Sequence, residues 1–451
     1  MQRLTDIIAD SGLPTPYDDA TLLTEYQNAG HDPADVIYLS LGETWSEVAP
    51  GLRKTLSGGI PLHSHGYILS PYGLPALHRA LRSYITDTHD LAGVADLGVD
   101  YEVAVSQSST RTAMFHFGRL LAEENAASAE HRPIAITSSP GWDHAGVYTA
   151  LGFDMRYFPL SPRSGYQPDA EEIEALLSQA RKDTQGPVLL IINAQHNPSG
   201  VNWARETVHA MVRAALDTGS CLLIDDAFYG VHDPDVRPTN ALRILLDEVR
   251  DLPLGRRPRW LAVRSLGKQF NSNGWGIGAM TGPVDTLTPL LTRLLPQHTY
   301  VSAVPLQAAM AEWLRDPSCN SYLAEQRALY AAKRKEITRR LTHEFGYPDE
   351  AFSAGNCTSY MLMRIPPWYH DSPDSETDYR TYCLWRTGVL LGEAHMTTPG
   401  RPLNDSNGYI RFYLGPPQET LTDALDRMKA AELTWKGTEA TERLTSSTRI
   451  A

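Results

Sequence analysis

Val188-Leu189-Leu190-Ile191-Ile192-Asn193-Ala194-Gln195-His196-Asn197-Pro198-Ser199-Gly200 and, further on, Leu222-Leu223-Ile224-Asp225-Asp226-Ala227-Phe228-Tyr229 decide the fold class. Each opens on a run that is apolar nearly throughout. Apolar runs of about four to eight residues suit strands buried on both faces, as in a parallel sheet covered by helices. Between the two runs, Glu206–Thr218 reads as an amphipathic helix. Strand, polar turn, helix and strand in succession is the α/β unit. In such sheets the polar loops at the carboxyl ends of the strands are where ligands bind.

Working outward, Glu102–Ser106, Ile134–Thr137 and Trp260–Arg264 read as further strands, and Ala170–Arg181 as a further helix. The expectation is an α/β protein. A large, doubly wound, mostly parallel sheet domain spans residues 55–304, after an N-terminal arm over 1–54 that is partly given to a smaller domain. A smaller α+β C-terminal domain spans 305–433, opening on a charged helix over Leu323–Phe345. The polar, Ser/Thr-rich stretch 434–451 reads as a flexible tail. A chain of 451 residues exceeds what one core usually organises, so two domains are expected.

Composition narrows the partners. With 40 basic and 53 acidic residues the formal net charge is −13. That disfavours a general nucleic-acid or anionic-membrane binder, which needs a basic surface. No apolar run approaches the roughly 20 residues that span a bilayer, and the first residues show no signal-peptide pattern. Cys221, Cys319, Cys357 and Cys383 form no close pair, which suits a reducing cytoplasm. His63 and His65 have no carboxylate or cysteine at ligand spacing, so no metal site is expected.

Only seven of the 40 basic residues are lysines. Lys333 and Lys335 read as part of a solvated helix face. Lys182, Lys429 and Lys436 lie in similar polar helical settings, and Lys54 in a polar stretch. Lys268 differs, because it follows a buried strand in Arg264-Ser265-Leu266-Gly267-Lys268. A lysine in a dry pocket loses preference for its charged form and becomes a usable nucleophile or base. The bland alternative is an ordinary loop lysine. Asp225 stands at the end of a buried strand, where a carboxylate needs a partner or caps a helix. Ser139-Pro140-Gly141-Trp142 sets a large aromatic directly after a strand. Arg411 is a lone arginine in the apolar Tyr409–Leu414, suited to clamping a carboxylate or pairing with an acid.

In this order the segments resemble the class I/II aminotransferases, the fold-type I enzymes dependent on pyridoxal 5'-phosphate. The pattern is Pro-x-aromatic, Asn-Pro-Ser-Gly, Asp at a strand end, Ser-x-x-Lys, then Arg in a late strand. The likeness runs from Leu39-Ser40-Leu41-Gly42-Glu43 to Arg411 and includes Gly73-Leu74-Pro75-Ala76-Leu77. It implies that Lys268 forms the Schiff base and moves the Cα proton, while Asp225 keeps the pyridinium nitrogen protonated. It implies that Asn197 bonds the ring's phenolic oxygen and Trp142 stacks on its face. Ser109, Thr110 and Ser265 would bind the phosphate. Arg411 would take the substrate α-carboxylate, with Gly42 and Glu43 in the segment covering the substrate. Tyr67 or Tyr72 would match a tyrosine that reaches across a homodimer interface. The substrate implied is an amino acid, with its selectivity in loops such as 43–47 and 395–407.

Two positions depart from the family. Counting from Lys268, Gly276 stands where a phosphate-binding arginine is usual, so Arg111 and Arg264 become candidates for that charge. Phe228 stands where a tyrosine commonly bonds the phenolic oxygen. If the neighbouring Tyr229 cannot substitute, Asn197 is left alone and the pKa of the cofactor–lysine linkage should rise. Transamination is one reading. The other keeps the cofactor and eliminates, replaces, cyclises, forms a carbon–carbon bond or oxidises, and the altered pocket residues raise it. A transcriptional regulator built on this fold is a third class. It would carry a basic DNA-binding domain, which the roughly 50 residues ahead of the core do not resemble. Ser265-x-x-Lys268 lacks the accompanying motifs of Ser–Lys acyl enzymes. Gly274-x-Gly276-x-Gly278 reads as a turn rather than a dinucleotide loop.

Overall fold

The computed structural model describes residues 18–42, 47–62, 64–124, 132–299, 302–369, 375–394 and 408–437. Among them are β1 (Ile37–Leu39), β2 (Glu102–Gln107), β3 (Ile134–Ser139), β4 (Asp154–Pro159), β5 (Val188–Ile192) and β6 (Cys221–Asp225). These are followed by β7 (Trp260–Ser265), β8 (Ile277–Gly282), β9 (Phe352–Ser353), β10 (Tyr360–Arg364), β11 (Val389–Glu393) and β12 (Tyr409–Tyr413).

The large sheet has the order β2-β8-β7-β6-β5-β3-β4. Only β8 runs antiparallel to its neighbours. Side chains alternate between the two faces, as strand geometry requires. Val188, Leu190 and Ile192 of β5, Leu222 and Ile224 of β6 and Trp260 and Ala262 of β7 enter one core. Leu189, Ile191, Leu223, Leu261 and Val263 enter the other. Helices Pro75–Thr88, Ala170–Asp183, Arg205–Asp217 and Ala241–Arg250 cover the first face, and Ser109–Glu124 covers the second. Helix boundaries have local causes. Asp169 caps Ala170–Asp183 by accepting from the amides of Glu171 at 2.9 Å and Glu172 at 3.3 Å. Glu171 and Glu172 lie in the first turn and Arg181 and Lys182 in the last, which complements the helix dipole.

The smaller sheet has the order β1-β11-β12-β10-β9. Its strand β1 comes from the N-terminal segment and pairs parallel with β11. The next helix, Pro50–Ser57, joins the large body instead, with Ala49 and Leu52 in its core. So does helix Val304–Trp313, across the expected boundary at 304/305: Ala309, Met310, Ala311 and Trp313 are buried in that same core.

Three expectations are corrected. Strand β8 begins at Ile277, so Gly278 lies in a strand although Gly276 just before it is a turn residue. Lys333 is not on a solvated face. It is buried and its Nζ donates to the carbonyls of Leu414 at 3.0 Å and Gly415 at 3.2 Å. Burial lowers its pKa to about 8. Lys333 and Arg334 lie on the buried stripe of helix Ser318–His343 with Tyr330, Ile337 and Leu341, so these two cations end on backbone carbonyls rather than in water. Finally, residues 434–437 are anchored. The Trp435 amide donates to Phe345 O at 2.9 Å, and Trp368 Nε1 donates to Thr434 O at 2.9 Å.

Candidate active site

Five segments that follow the carboxyl ends of β2, β3, β5, β6 and β7 converge on one cavity of about 330 Å³. Its walls include Ser109, Thr110, Arg111, Trp142, Asn197, Asp225, Ser265 and Lys268 from the large domain. Gly42, Tyr360 and Arg411 close it from the smaller sheet. Side-chain alternation decides which strand-end residues reach it. Asp225 and Ser265 share the face of Leu223 and Val263, whereas Asp226 and Arg264 fall on the other.

Lys268 sits on the short helix Leu266–Phe270, capped by Ser265, whose Oγ accepts from the Lys268 amide at 3.4 Å. The Lys268 ammonium lies 5.4 Å above the centre of the Phe228 ring. Asp225 is 3% exposed, so its charge must be met by donors. His144 Nε2–H donates to Asp225 Oδ2 at 3.1 Å, and the Ala227 amide donates to Oδ1 at 3.2 Å. Thr137 Oγ1 lies 3.0 Å from His144 Nδ1, which fixes the imidazole from behind. Neither bond uses up a carboxylate's capacity of about four lone-pair sites, so Asp225 can still hold a protonated ring nitrogen in the cavity.

Asn197 is oriented by Arg411, whose Nη1 donates to Asn197 Oδ1 at 3.2 Å. That turns the donor half of the amide away from Arg411. Its loop is tied to the Trp142 loop by the buried His196. There Nδ1 lies 2.7 Å from Ser199 Oγ and Nε2 3.2 Å from Pro140 O, while burial drops the imidazole pKa to about 3. The Arg411 guanidinium stacks 4.2 Å over the Tyr360 ring. A Cβ on Gly42 would overlap the Tyr360 hydroxyl, so this position of the covering segment accepts no side chain.

The departures have physical causes. Gly276 adopts φ +64°, and an added Cβ would lie 3.2 Å from Ser108 Cα. An arginine is disfavoured there by backbone and by space. Arg111 reaches the cavity instead. It pairs with Asp143 at 2.9 Å and lies 4.5 Å over the Trp142 ring. Arg264 does not reach it, because it points to the opposite face. Tyr229 likewise lines a different cavity, stacked 4.1 Å from His89. Tyr67 is 77% exposed and lies outside the cavity, and Tyr72 stacks on His78. Glu43, His63 and residues 395–407 lie outside the described residues. No grouping of three or more metal-ligating side chains exists among the described residues.

Sequence reasoning missed His144, Tyr360, Asn193 and Met114 as cavity or carboxylate contacts. His144 follows Trp142 by two residues, but its partner Asp225 is 81 positions away. Nothing in the spacing signals that pairing.

Behind Asp225 lies a second, buried acid. Burial raises Asp226 to about 7; the nearby Arg264 charge opposes this and the adjacent Asp225 charge adds to it. His89 Nε2 lies 3.9 Å away, and burial lowers its pKa to about 3. Folding therefore favours the proton on Asp226 between about pH 4 and 7. The folded form binds more protons than the unfolded one there, so this group's contribution to stability falls as pH rises through that window. Above it the penalty is complete. Asp226→Asn should therefore raise stability at pH 8 by roughly 4 kcal/mol, with little change at pH 4. Thermal unfolding at the two pH values checks this, and an equal shift at both would contradict it.

The comparisons fit this geometry. The sequence profile described as "Aminotransferase class I and II" matches residues 69–428. LL-diaminopimelate aminotransferase of Halothermothrix orenii is 24% identical over 307 residues, 67% of this chain and 70% of that protein. L-glutamine–4-(methylsulfanyl)-2-oxobutanoate aminotransferase of Bacillus subtilis is 25% identical over 299 residues, 65% of this chain and 66% of that one. A double mutant of Thermus thermophilus aspartate aminotransferase has the same fold. Its TM-score is 0.72 at 19% identity, covering 96% of this chain and all of that one. Substrate-bound BacF of Bacillus subtilis gives 0.74 at 17% identity, covering 94% and 97%. The chain belongs to the class I and II aminotransferases. It is a pyridoxal-phosphate-dependent aminotransferase of fold type I, and the non-transaminating reading is not favoured.

Proposed function

We propose that this aminotransferase works with Lys268, Asp225, Asn197 and Arg411 as its reacting and holding groups, on an L-amino acid whose α-carboxylate pairs with Arg411. The observation that carries the reading is that Lys268, Asp225 and Arg411 face one cavity from three parts of the chain. Pyridoxal phosphate supplies an electron sink that acidifies the substrate Cα–H. The residues do the rest. Asp225, steadied by His144, would hold the proton of the cofactor's ring nitrogen. Trp142 would offer its face to the ring and Asn197 a donor to its phenolic oxygen. Lys268 would hold the cofactor covalently, and its freed amine would carry the substrate Cα proton. Tyr360 and Gly42 exclude water above the carboxylate.

The cofactor's phosphate would be met by Ser109 and Thr110 at the amino end of helix Ser109–Glu124, by Ser265, and by Arg111 for charge, all of which line the cavity. Arg111→Gln should weaken cofactor retention about tenfold, or ~1.4 kcal/mol, read by equilibrium dialysis. Unchanged retention would remove Arg111 from this role. Phe228 carries no donor and Tyr229 faces the other cavity, so of Asn197, Phe228 and Tyr229 only Asn197 would donate to the phenolic oxygen. The cofactor–lysine linkage should then titrate above neutrality, by about one pH unit per lost bond. A spectrophotometric titration with a midpoint at or below neutrality would contradict this.

The protein is further proposed to be a cytoplasmic homodimer with sites completed across the interface. The exposed Ile60, Leu62, Tyr67 and Leu69 support an interface there, and the four free cysteines support a reducing compartment. No helix among the described residues is long and apolar enough to cross a membrane. The large domain would comprise about residues 55–304 and the smaller 305–433, with helix Val304–Trp313 packed on the large one.

The test is amine transfer from a panel of L-amino acids to a 2-oxo acid acceptor. Each oxo acid formed should match one new amino acid. Release of ammonia, or of a modified substrate with no new amino acid, would overturn transamination.

A further inference from the structure

A larger cavity, about 830 Å³, lies on the opposite face of the sheet between the long helix Ser318–His343 and the helices of the large domain. Its size falls within the ~300–1,000 Å³ of small-molecule sites. Five arginines line it, Arg205, Arg237, Arg243, Arg264 and Arg327, against two carboxylates, Asp90 and Asp247. Arg243 is spoken for, because it pairs with Asp90 and lies 3.9 Å from Asp247. No carboxylate pairs with Arg205, Arg237, Arg264 or Arg327 among the described residues.

Arg264 makes the feature more than a basic surface. It is 3% exposed, yet it is a wall of the cavity and its Nε has no hydrogen-bond partner. Its other nitrogens donate to Thr88 Oγ1 at 2.6 Å and Gln269 Oε1 at 2.9 Å, which are neutral acceptors. The rings of Tyr84 and Tyr229 hold it, 4.9 Å and 5.1 Å from their centres. Burial lowers the pKa of Arg327 and of His232, both lining the same space, and the Arg264 charge adds to this in each. Among the described residues, the one acid that compensates Arg264 is the buried Asp226, whose pKa of about 7 leaves it only partly charged near neutrality, so an entering anion would add compensation. Arginine forks match carboxylate and phosphate oxygens, and a low-dielectric wall strengthens the pairing.

We propose that this cavity is a second ligand site, distinct from the amino-acid site, that takes a small molecule bearing two anionic groups. One group sits on Arg264 and Arg327 at depth. The other meets Arg205 and Arg237, which are exposed at the mouth. The anchor is adjacent to the reaction centre without belonging to it. Arg264 precedes Ser265, and its partner Gln269 follows Lys268.

The test is calorimetric titration of the holoenzyme with inorganic pyrophosphate and, separately, succinate, beside the variant Arg237→Gln/Arg327→Gln. The expected result is saturable binding of at least one anion to the wild type, weakened tenfold or more in the double variant. The variant should retain its cofactor absorbance and its transamination rate within twofold. Pyrophosphate alone binding identifies a phosphate-bearing ligand, and succinate alone a dicarboxylate. Absence of saturable binding for both, or equal affinity in wild type and variant, would overturn the proposal.

Discussion

Lys268→Ala abolishes the visible absorbance of the bound cofactor and lowers transamination by at least about 10⁴-fold. The magnitude follows from losing the two roles proposed for one side chain, a covalent anchor and a proton carrier, the latter alone worth roughly 10²–10⁴-fold. The folded protein should survive, because the helix Leu266–Phe270 is capped through the Ser265 side chain and the Lys268 backbone rather than the Lys268 side chain. Circular dichroism and absorbance on the same sample separate the outcomes. A folded variant that keeps a wild-type cofactor band would end the assignment. No other lysine can substitute: Lys333 is buried against the carbonyls of Leu414 and Gly415, and the remaining lysines do not line the cavity.

Asp225→Asn should cost on the order of 10³-fold in kcat, or ~4 kcal/mol, while leaving the fold and the His144 contact in place. An asparagine oxygen can still accept from His144 Nε2–H, now at 3.1 Å to Asp225 Oδ2. What disappears is the buried negative charge proposed to keep the ring nitrogen protonated. The neighbouring Asp226 cannot replace it. It faces the other side of the sheet, and burial raises its pKa to about 7. Single-turnover kinetics on the variant checks the estimate. A loss under tenfold would mean that Asp225 does not carry this role.

Much of the fold is legible because the strands β2, β3, β5, β6 and β7 are apolar on both faces. Continuous apolar runs leave little freedom except burial between helices. Strand β4 is not legible, because Asp154, Arg156 and Tyr157 give an edge strand no continuous apolar signal. Strand β8 hides behind Gly274, Gly276 and Gly278, which look like a turn. In the site, Lys268, Asp225, Asn197 and Trp142 stand out because each follows or occupies a strand end, and Arg411 because it is a lone charge within the apolar strand β12. His144 and Tyr360 do not, since their meaning lies in contacts to Asp225 and Arg411 far away in sequence.

The sequence by itself determined the strand–helix alternation, the set of strand-end polar residues and the choice of Lys268 from seven lysines. Local periodicity and residue chemistry suffice for those. Tertiary structure alone decided which face each strand-end residue serves. One position of register sends Ser265 and Asp225 into the reaction cavity and Arg264 and Asp226 to the opposite side of the sheet. The same chain geometry sets Arg111 rather than Arg264 beside Trp142, and turns Tyr229 toward His89. Those outcomes follow from how the sheet is covered on its two faces, and no spacing along one strand encodes which cover each face meets.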